Sequence, residues 1–169
     1  MQSGSMEQTA HLTDADVWQA LADVHDPEIP ALSIVDMGIV TKLDVSAERI
    51  TVTITPTFVG CPALEMIKQT ITERLSEFPV KEVDVRVDYT TPWTTNRLTE
   101  QGRAVLRSLG FAPPPRFEGE FEPAILLNAS CPHCGSTNTT LRSPFGPALC
   151  RAIYLCNDCH QAFEQFKPL

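Results

Sequence analysis

The chain has 169 residues, of which 43% are hydrophobic and 20% are charged, so we expect a folded globular protein rather than a disordered one. No apolar run approaches the roughly 20 residues that cross a bilayer, and no secretory signal is recognisable, which predicts a cytoplasmic protein without a membrane anchor. The net charge of −8 is uneven, because residues 123–169 carry three basic and two acidic side chains. The remaining, strongly acidic part disfavours nucleic acid and favours a protein partner.

The first predicted element is a short helix that begins after Thr13, a residue able to cap it. Val17, Leu21 and Val24 mark one apolar face of this helix. Two prolines within residues 25–30 must end it. The first six residues of the chain resemble a cloning remnant and are left out of the predicted domain.

Three strands are predicted from alternating side chains. Residues 39–45 and 50–55 alternate apolar and polar positions, and residues 46–49 join them as a hairpin. In residues 83–87 three valines alternate with charged side chains, which predicts the third strand.

Two further helices are predicted on either side of the third strand. The longest apolar pattern has steps of three and four residues: Leu64, Ile67, Ile71, Leu75 and Phe78. Pro62 suits the first position of this helix. A last helix, from Thr99 to Leu109, is capped by Thr99 and stopped by Gly110.

This order of elements predicts an α+β domain over residues 7–111, with helices packed on one face of a small three-stranded sheet. Residues 112–124 are rich in proline and predict a stiff linker. A small zinc-ribbon domain is expected over residues 125–169.

The ribbon is predicted from two Cys-x-x-Cys pairs: Cys131, Cys134, Cys156 and Cys159. Each pair can place two thiolates on one tight turn, and four thiolates complete a tetrahedral shell for zinc or for a single iron. The long interval between the pairs favours structural zinc. We expect no disulfide, because thiols stay reduced in the cytosol.

Three other residues near the two Cys-x-x-Cys pairs, which we call the knuckles, are not expected to bind the metal, since four thiolates suffice. His133 and His160 are interpreted as bystanders, and Cys150 as a packed ribbon residue. Trp93 follows the third strand and is favoured as a core residue, although an exposed Trp would suit a partner interface.

Cys61 lies in a Gly-Cys-Pro sequence at the start of the main predicted helix. The helix dipole and unpaired N–H groups there favour the thiolate, which makes Cys61 a candidate iron-handling thiol. A buried, inert cysteine in a turn is the alternative. Asp26, Glu28 and Asp36 in the preceding loop could join Cys61 if that loop folds over it. His25 is a weak candidate base.

Five short motifs follow one another along the chain: Asp26-Pro-Glu-Ile-Pro30, Ile34-Val-Asp-Met-Gly38, Thr55-Pro-Thr57, Gly60-Cys-Pro62 and Pro92-Trp-Thr-Thr95. Together with the ribbon, they resemble the PaaD-like family, which is associated with iron–sulfur cluster assembly. The resemblance is specifically to PaaD subunits of the bacterial phenylacetyl-CoA epoxidase system, and it runs from about residue 13 to the end of the chain.

The resemblance implies an accessory role beside a multicomponent di-iron oxygenase that epoxidises phenylacetyl-CoA during phenylacetate breakdown. Cys61 matches the family's single Gly-Cys-Pro cysteine, and Asp26, Glu28 and Asp36 match its acidic loop. The implied cargo is a transient iron ion or iron–sulfur cluster, and the implied partners are the oxygenase or reductase subunits. The chain has no nucleotide-binding glycine loop, catalytic triad or Glu-x-x-His pair, so catalysis by this chain alone is not expected.

Two alternatives stay open beside metal-centre assembly. The chain could be a scaffold in which the ribbon and Trp93 join subunits and Cys61 only packs. It could also be an electron carrier, since four thiolates hold iron as well as zinc. Homodimerisation through a sheet edge also stays open.

Overall fold

The computed structural model of the chain describes residues 12–116 and 129–167. We call residues 12–110 the body and residues 129–167 the ribbon. The elements in chain order are α1 (Asp14–Ala22), β1 (Val40–Val45), β2 (Arg49–Ile54), α2 (Leu64–Leu75), β3 (Glu82–Val87), a short 3-10 helix (Thr95–Arg97), α3 (Glu100–Ser108), β4 (Phe111–Ala112), β5 (Thr139–Ser143), β6 (Arg151–Cys156) and β7 (Ala162–Phe166). The suggested N-terminal remnant, most of the predicted linker and the first residues of the predicted ribbon lie outside the described residues.

The body has the predicted α+β architecture. Its sheet has the order β1-β2-β3, with β1 antiparallel and β3 parallel to β2. The parallel pairing requires a crossover, which α2 provides. Ile50, Val52 and Ile54 of β2 are fully buried under the helices, whereas the threonines between them are partly exposed. The alternation in the sequence therefore predicts the two faces of the sheet correctly.

The helices of the body begin and end close to their predicted positions. Thr13 and Asp16 form a reciprocal capping box, in which the Asp16 carboxylate accepts from the Thr13 amide at 2.9 Å. The Thr99 hydroxyl caps α3 by accepting from Gly102 at 2.9 Å. The prediction for Pro62 was wrong by two positions, because α2 begins at Leu64 and Ala63 is its N-cap.

The ribbon extends the fold with a second sheet in the order β4-β7-β6-β5. Its edge strand β4 directly follows the body and pairs in parallel with β7, so the predicted linker boundary at Ala112 falls inside a strand. The residues after β4 are also held against the body, since Arg103 donates to the carbonyl of Pro114 as well as to that of Thr95. Strand β4 has only two residues, too few to give an alternating pattern in the sequence.

The ribbon has a small hydrophobic core of its own and also contributes one buried side chain to the core of the body. Phe166 of β7 is buried among the core residues of the body. Its ring lies 6.2 Å from that of Trp93, and the Trp93 indole donates to the carbonyl of Met37 at 2.8 Å. Trp93 is thus a core residue, as favoured from the sequence, and it packs where the two parts meet. Among the described residues, no helix has the length and apolar character needed to cross a membrane.

Candidate metal sites

The four ribbon cysteines form one cluster at the end of the ribbon sheet. Their sulfur atoms all lie within 4.8 Å of one another, with 3.6 Å between Cys131 and Cys159 and 3.6 Å between Cys134 and Cys156. A zinc ion with four bonds of about 2.3 Å would set its sulfurs about 3.8 Å apart in a tetrahedron. The four residues therefore fit zinc in number, chemistry and spacing.

Local backbone geometry explains why each Cys-x-x-Cys segment can bring two sulfurs together. Gly135 and His160, which follow the second cysteine of each pair, both have positive φ, at 76° and 60°. His160 therefore adopts the backbone conformation that glycine adopts in the other Cys-x-x-Cys segment. Neither His160 nor His133 is needed as a ligand, because four cysteines complete the site. The Cys159 amide points at the sulfur of Cys156 at 3.5 Å, and this amide with that of Asp158 lowers the pKa of Cys156 to about 7.

Polar side chains tie the two knuckles together. The Asp158 carboxylate, in the second knuckle, accepts from the Ser136 hydroxyl and from the Asn138 amide, which both follow the first knuckle. Hydrogen bonds between side chains thus hold the two Cys-x-x-Cys segments together, in addition to the contacts between the sulfurs.

A cavity of about 260 Å³ lies between the body and the ribbon. The body contributes the loop before β1 and the loop before α2, and the ribbon contributes residues 147–150 and Phe166. Cys61 lines this cavity together with Asp26 and Glu28. The loop that carries the two acidic residues therefore does fold against Cys61, which the sequence alone could not establish.

The environment of Cys61 is less favourable to the thiolate than the helix start suggested. Burial raises the pKa of the Cys61 thiol, and the charges of Asp26 and Glu28 raise it further. The amides of Ala63 and Leu64 at the helix start lower it, but they offset these effects only in part. The expected stabilisation of the thiolate was wrong in its net direction, although the predicted amide contribution is present.

The acidic residues of the loop have different positions. Asp26 is buried, and its carboxylate accepts from the amides of Glu28 at 2.8 Å and Ile29 at 2.9 Å. The side chain of Glu28 is 36% exposed and lies 4.0 Å from Arg151 of the ribbon. Asp36 does not line the cavity, because its carboxylate accepts from the hydroxyls of Ser33 and Thr99.

His25 is exposed and does not line the cavity either. Its backbone forms a bridge to Ser33, in the same loop. The structure therefore places His25 away from the thiol for which it was a candidate base.

Cys150 is a cavity residue that sequence reasoning assigned to packing alone. It lines the same cavity as Cys61 from the ribbon side. Burial raises the pKa of Cys150 to about 11; Glu28 and Asp26 add to the rise, and Arg151 opposes it. The neighbouring Arg151 forms an ion pair with Glu164 at 3.1 Å. Only a prediction of how the ribbon docks could have placed Cys150 opposite Cys61.

Comparison with known proteins agrees with this two-part architecture. Residues 124–167 match the family described as the PaaD zinc beta ribbon domain, and residues 14–89 match the family described as iron-sulfur cluster assembly protein. A protein of Escherichia coli (strain K12), provisionally named as a subunit of 1,2-phenylacetyl-CoA epoxidase, is 35% identical over 154 residues, which are 90% of this chain and 91% of that protein. The chain belongs to the PaaD family.

Two relatives outside the PaaD proteins match a smaller part of the chain. The Fe-S protein maturation auxiliary factor YitW of Bacillus subtilis (strain 168) is 32% identical over 52% of this chain and 86% of its own length. The factor SufT of Staphylococcus aureus (strain USA300) is 32% identical over 49% of this chain and 96% of its own length. About half of this PaaD chain therefore has no counterpart in these two shorter proteins.

Proposed function

We propose that this protein is an accessory subunit of the phenylacetyl-CoA epoxidase system, which accepts iron or an iron–sulfur cluster at Cys61 and passes it to a partner subunit. The observation that carries the proposal is the cavity that places the Cys61 thiol with two carboxylates, those of Asp26 and Glu28. Membership of the PaaD family and the likeness to Fe-S maturation factors support it.

The chemistry of the cavity suits a cargo that is bound and then released. Iron accepts both thiolate and carboxylate ligands, so Cys61 and Glu28 offer suitable donors. Because burial and the carboxylates raise the pKa of Cys61, its thiol is protonated near neutral pH, and a bound metal must displace that proton. Competition with the proton weakens the hold on the cargo, which favours handover over storage.

Exposed apolar side chains beside the cavity support docking of a protein partner. Phe58 and Leu149 line the cavity and are 42% and 53% exposed. Val59, next to Phe58, is 76% exposed. Exposed apolar groups at the mouth of a cavity are typical of a surface that a partner covers. The oxygenase and reductase subunits of the epoxidase system are the partners we propose.

The ribbon has a structural role in this proposal. Cys131, Cys134, Cys156 and Cys159 would hold zinc, which supplies much of the free energy that folds such a small domain. Folding of the ribbon in turn holds residues 147–150 and Phe166 against the body, and these residues form one wall of the cavity.

The test compares the wild type with Cys61→Ser after anaerobic purification and reconstitution with iron and sulfide. We expect one zinc per chain in both proteins, but iron bound to this chain and delivered to the partner subunit should fall by about tenfold or more in the variant. Elemental analysis of both proteins and the activity of the reconstituted epoxidase measure these quantities.

Two results would contradict the proposal. Full loading of the partner by Cys61→Ser would favour a scaffold, in which the ribbon joins subunits and Cys61 only packs. Visible ferric-thiolate absorption that persists in Cys61→Ser would place iron in the ribbon and would favour an electron carrier.

A further inference from the structure

Cys150 occupies a position that is fixed by the backbone of the ribbon. Its carbonyl accepts from the amide of Lys167 at 2.9 Å, at the end of β7. The turn that contains it is closed by hydrogen bonds from the amide of Arg151 to the carbonyl of Ala148 at 3.0 Å and from the amide of Gly146 to the carbonyl of Arg151 at 2.8 Å. These hydrogen bonds fix the position of the Cys150 backbone and so restrict where its side chain can lie, as a binding residue requires.

Cys150 and Cys61 share one environment although 88 positions separate them in the chain. Both line the cavity, both are partly buried against the body core, and both lie within electrostatic reach of Asp26 and Glu28. A cysteine that only packs needs no carboxylates beside it. Two thiols and two carboxylates around one cavity instead offer four potential ligands.

Arg151 supplies the positive charge that such a set requires. Its side chain is only 11% exposed and lies 4.0 Å from Glu28 and 3.1 Å from Glu164. The guanidinium also packs over the ring of Phe111, with 5.5 Å between its central carbon and the ring centre. A fixed cation beside Cys150 offsets the negative charge that two thiolates would bring into the cavity.

The cavity is not a ready shell for a single ion. Within the described residues, the ribbon cysteines are the one group of three or more Cys, His, Asp or Glu side chains that is assembled closely enough for a metal. Cys61, Cys150, Asp26 and Glu28 surround a wider space, of about 260 Å³. A cargo with two metal atoms, each able to take one of the two thiols, fits this arrangement better than one ion does.

On the basis of the proposed function, we infer that Cys61 and Cys150 together bind an iron–sulfur cluster between the body and the ribbon. Binding is a ligand exchange without electron transfer. Each protein thiol gives its proton to a departing small-molecule thiolate as a new iron–sulfur bond forms, so the cluster keeps its charge state. Two cysteines leave the four-cysteine shell of a [2Fe–2S] cluster incomplete, so ligands of the partner can complete it during transfer.

The test uses a [2Fe–2S] cluster pre-assembled on glutathione, mixed anaerobically with the zinc-loaded full chain. The proteins are the wild type, Cys61→Ser, Cys150→Val and the double variant; valine keeps an apolar side chain at position 150 and removes the ligand. Cluster uptake is followed by visible circular dichroism and by iron and sulfide per chain, and zinc content confirms that each ribbon is folded. We expect about tenfold weaker uptake or more for either single variant, with no further large loss in the double variant.

The outcomes separate this inference from the function on which it rests. Uptake by Cys150→Val equal to the wild type, with uptake lost in Cys61→Ser, overturns the role of Cys150 and leaves the proposed function standing. Binding of iron without sulfide by the wild type overturns the cluster but not iron handling at Cys61. No uptake of iron or cluster by the wild type overturns both.

Discussion

The ribbon gathers four thiols within 4.8 Å of one another, whereas the cavity between body and ribbon holds two thiols and two carboxylates around a wider space. The first arrangement can satisfy zinc completely and leaves no open position, as structural sites do. The second is incomplete without further ligands. We propose that one short chain thus uses cysteine in two ways: the closed site would hold structural zinc, and the open one would exchange its cargo.

The largest expected effect is loss of the closed site. Cys131→Ser removes one of the four thiols, so the ribbon no longer holds its metal. The apparent binding free energy lost with the metal is on the order of 10 kcal/mol, and this free energy folds the ribbon. We expect zinc to fall from one per chain to nearly none and trypsin to cut within residues 129–167. Mass spectrometry of the fragments with elemental analysis checks this. Cys150→Val is the matched control, and it should keep both its zinc and its resistance to trypsin.

A ribbon variant that stays resistant to trypsin without zinc would contradict the role of the closed site in folding the ribbon. The ribbon would then fold through its own packing, chiefly the stacked rings of Tyr154 and Phe163 with 5.5 Å between their centres. The zinc would be an addition rather than a source of stability.

The second effect tests whether Phe166 anchors the ribbon in the core of the body. Phe166→Ala empties the position beside Trp93 in the core of the body, and truncation of a buried Phe costs about 3–5 kcal/mol. Urea unfolding at equilibrium measures this loss. The control is Phe145→Ala, because Phe145 is 63% exposed and its ring contacts Lys167 through a cation–π pair, so the change should cost under about 1 kcal/mol. Equal effects of the two changes would mean that Phe166 does not anchor the ribbon in the core of the body.

The smallest effect concerns proton competition in the open site. The Glu28 carboxylate raises the pKa of Cys61, so Glu28→Gln should lower that pKa and increase the thiolate fraction at any pH below it. Alkylation of Cys61 by iodoacetamide at a pH of about 8 should therefore become faster, and its rate should rise with pH over a lower range than in the wild type. Peptide mass spectrometry separates Cys61 from the other cysteines.

The matched control for this change is Glu48→Gln. Glu48 is exposed, pairs with Lys81 and does not line the cavity, so its loss should leave the alkylation rate unchanged. A Glu28→Gln variant that reacts more slowly than the wild type would contradict the assigned effect of Glu28 on the thiol.

Local patterns predicted most of the body and the cysteine cluster of the closed site. The buried residues Ile67, Ile71 and Leu75 follow from helical spacing, and the cap at Thr13 follows from a threonine directly before the helix. The four clustered thiols follow from two short motifs. In each of these cases the residues that interact are near in sequence or share one repeated pattern, so no knowledge of docking is needed.

The open site could be predicted only in part, because it forms where distant segments meet. Resemblance and position grouped Cys61 with Asp26 and Glu28, which do line one cavity, and with Asp36, which does not. Cys150 packs against the core as predicted, but its place in the cavity was not predicted. The net direction of the Cys61 pKa also depends on burial and on charges from another loop. Such effects follow from tertiary contacts and not from the start of a helix.

The contact between the Trp93 and Phe166 rings makes the fluorescence of Trp93 sensitive to docking of the ribbon. The chain has two tryptophans, and Trp93 is 4% exposed whereas Trp18 on α1 is 37% exposed. A Trp18→Phe background would leave one indole, and its fluorescence emission is blue-shifted while Phe166 covers it. Undocking of the ribbon would shift that emission to longer wavelengths, so any effect of the proposed cargo on ribbon docking can be measured without a dye.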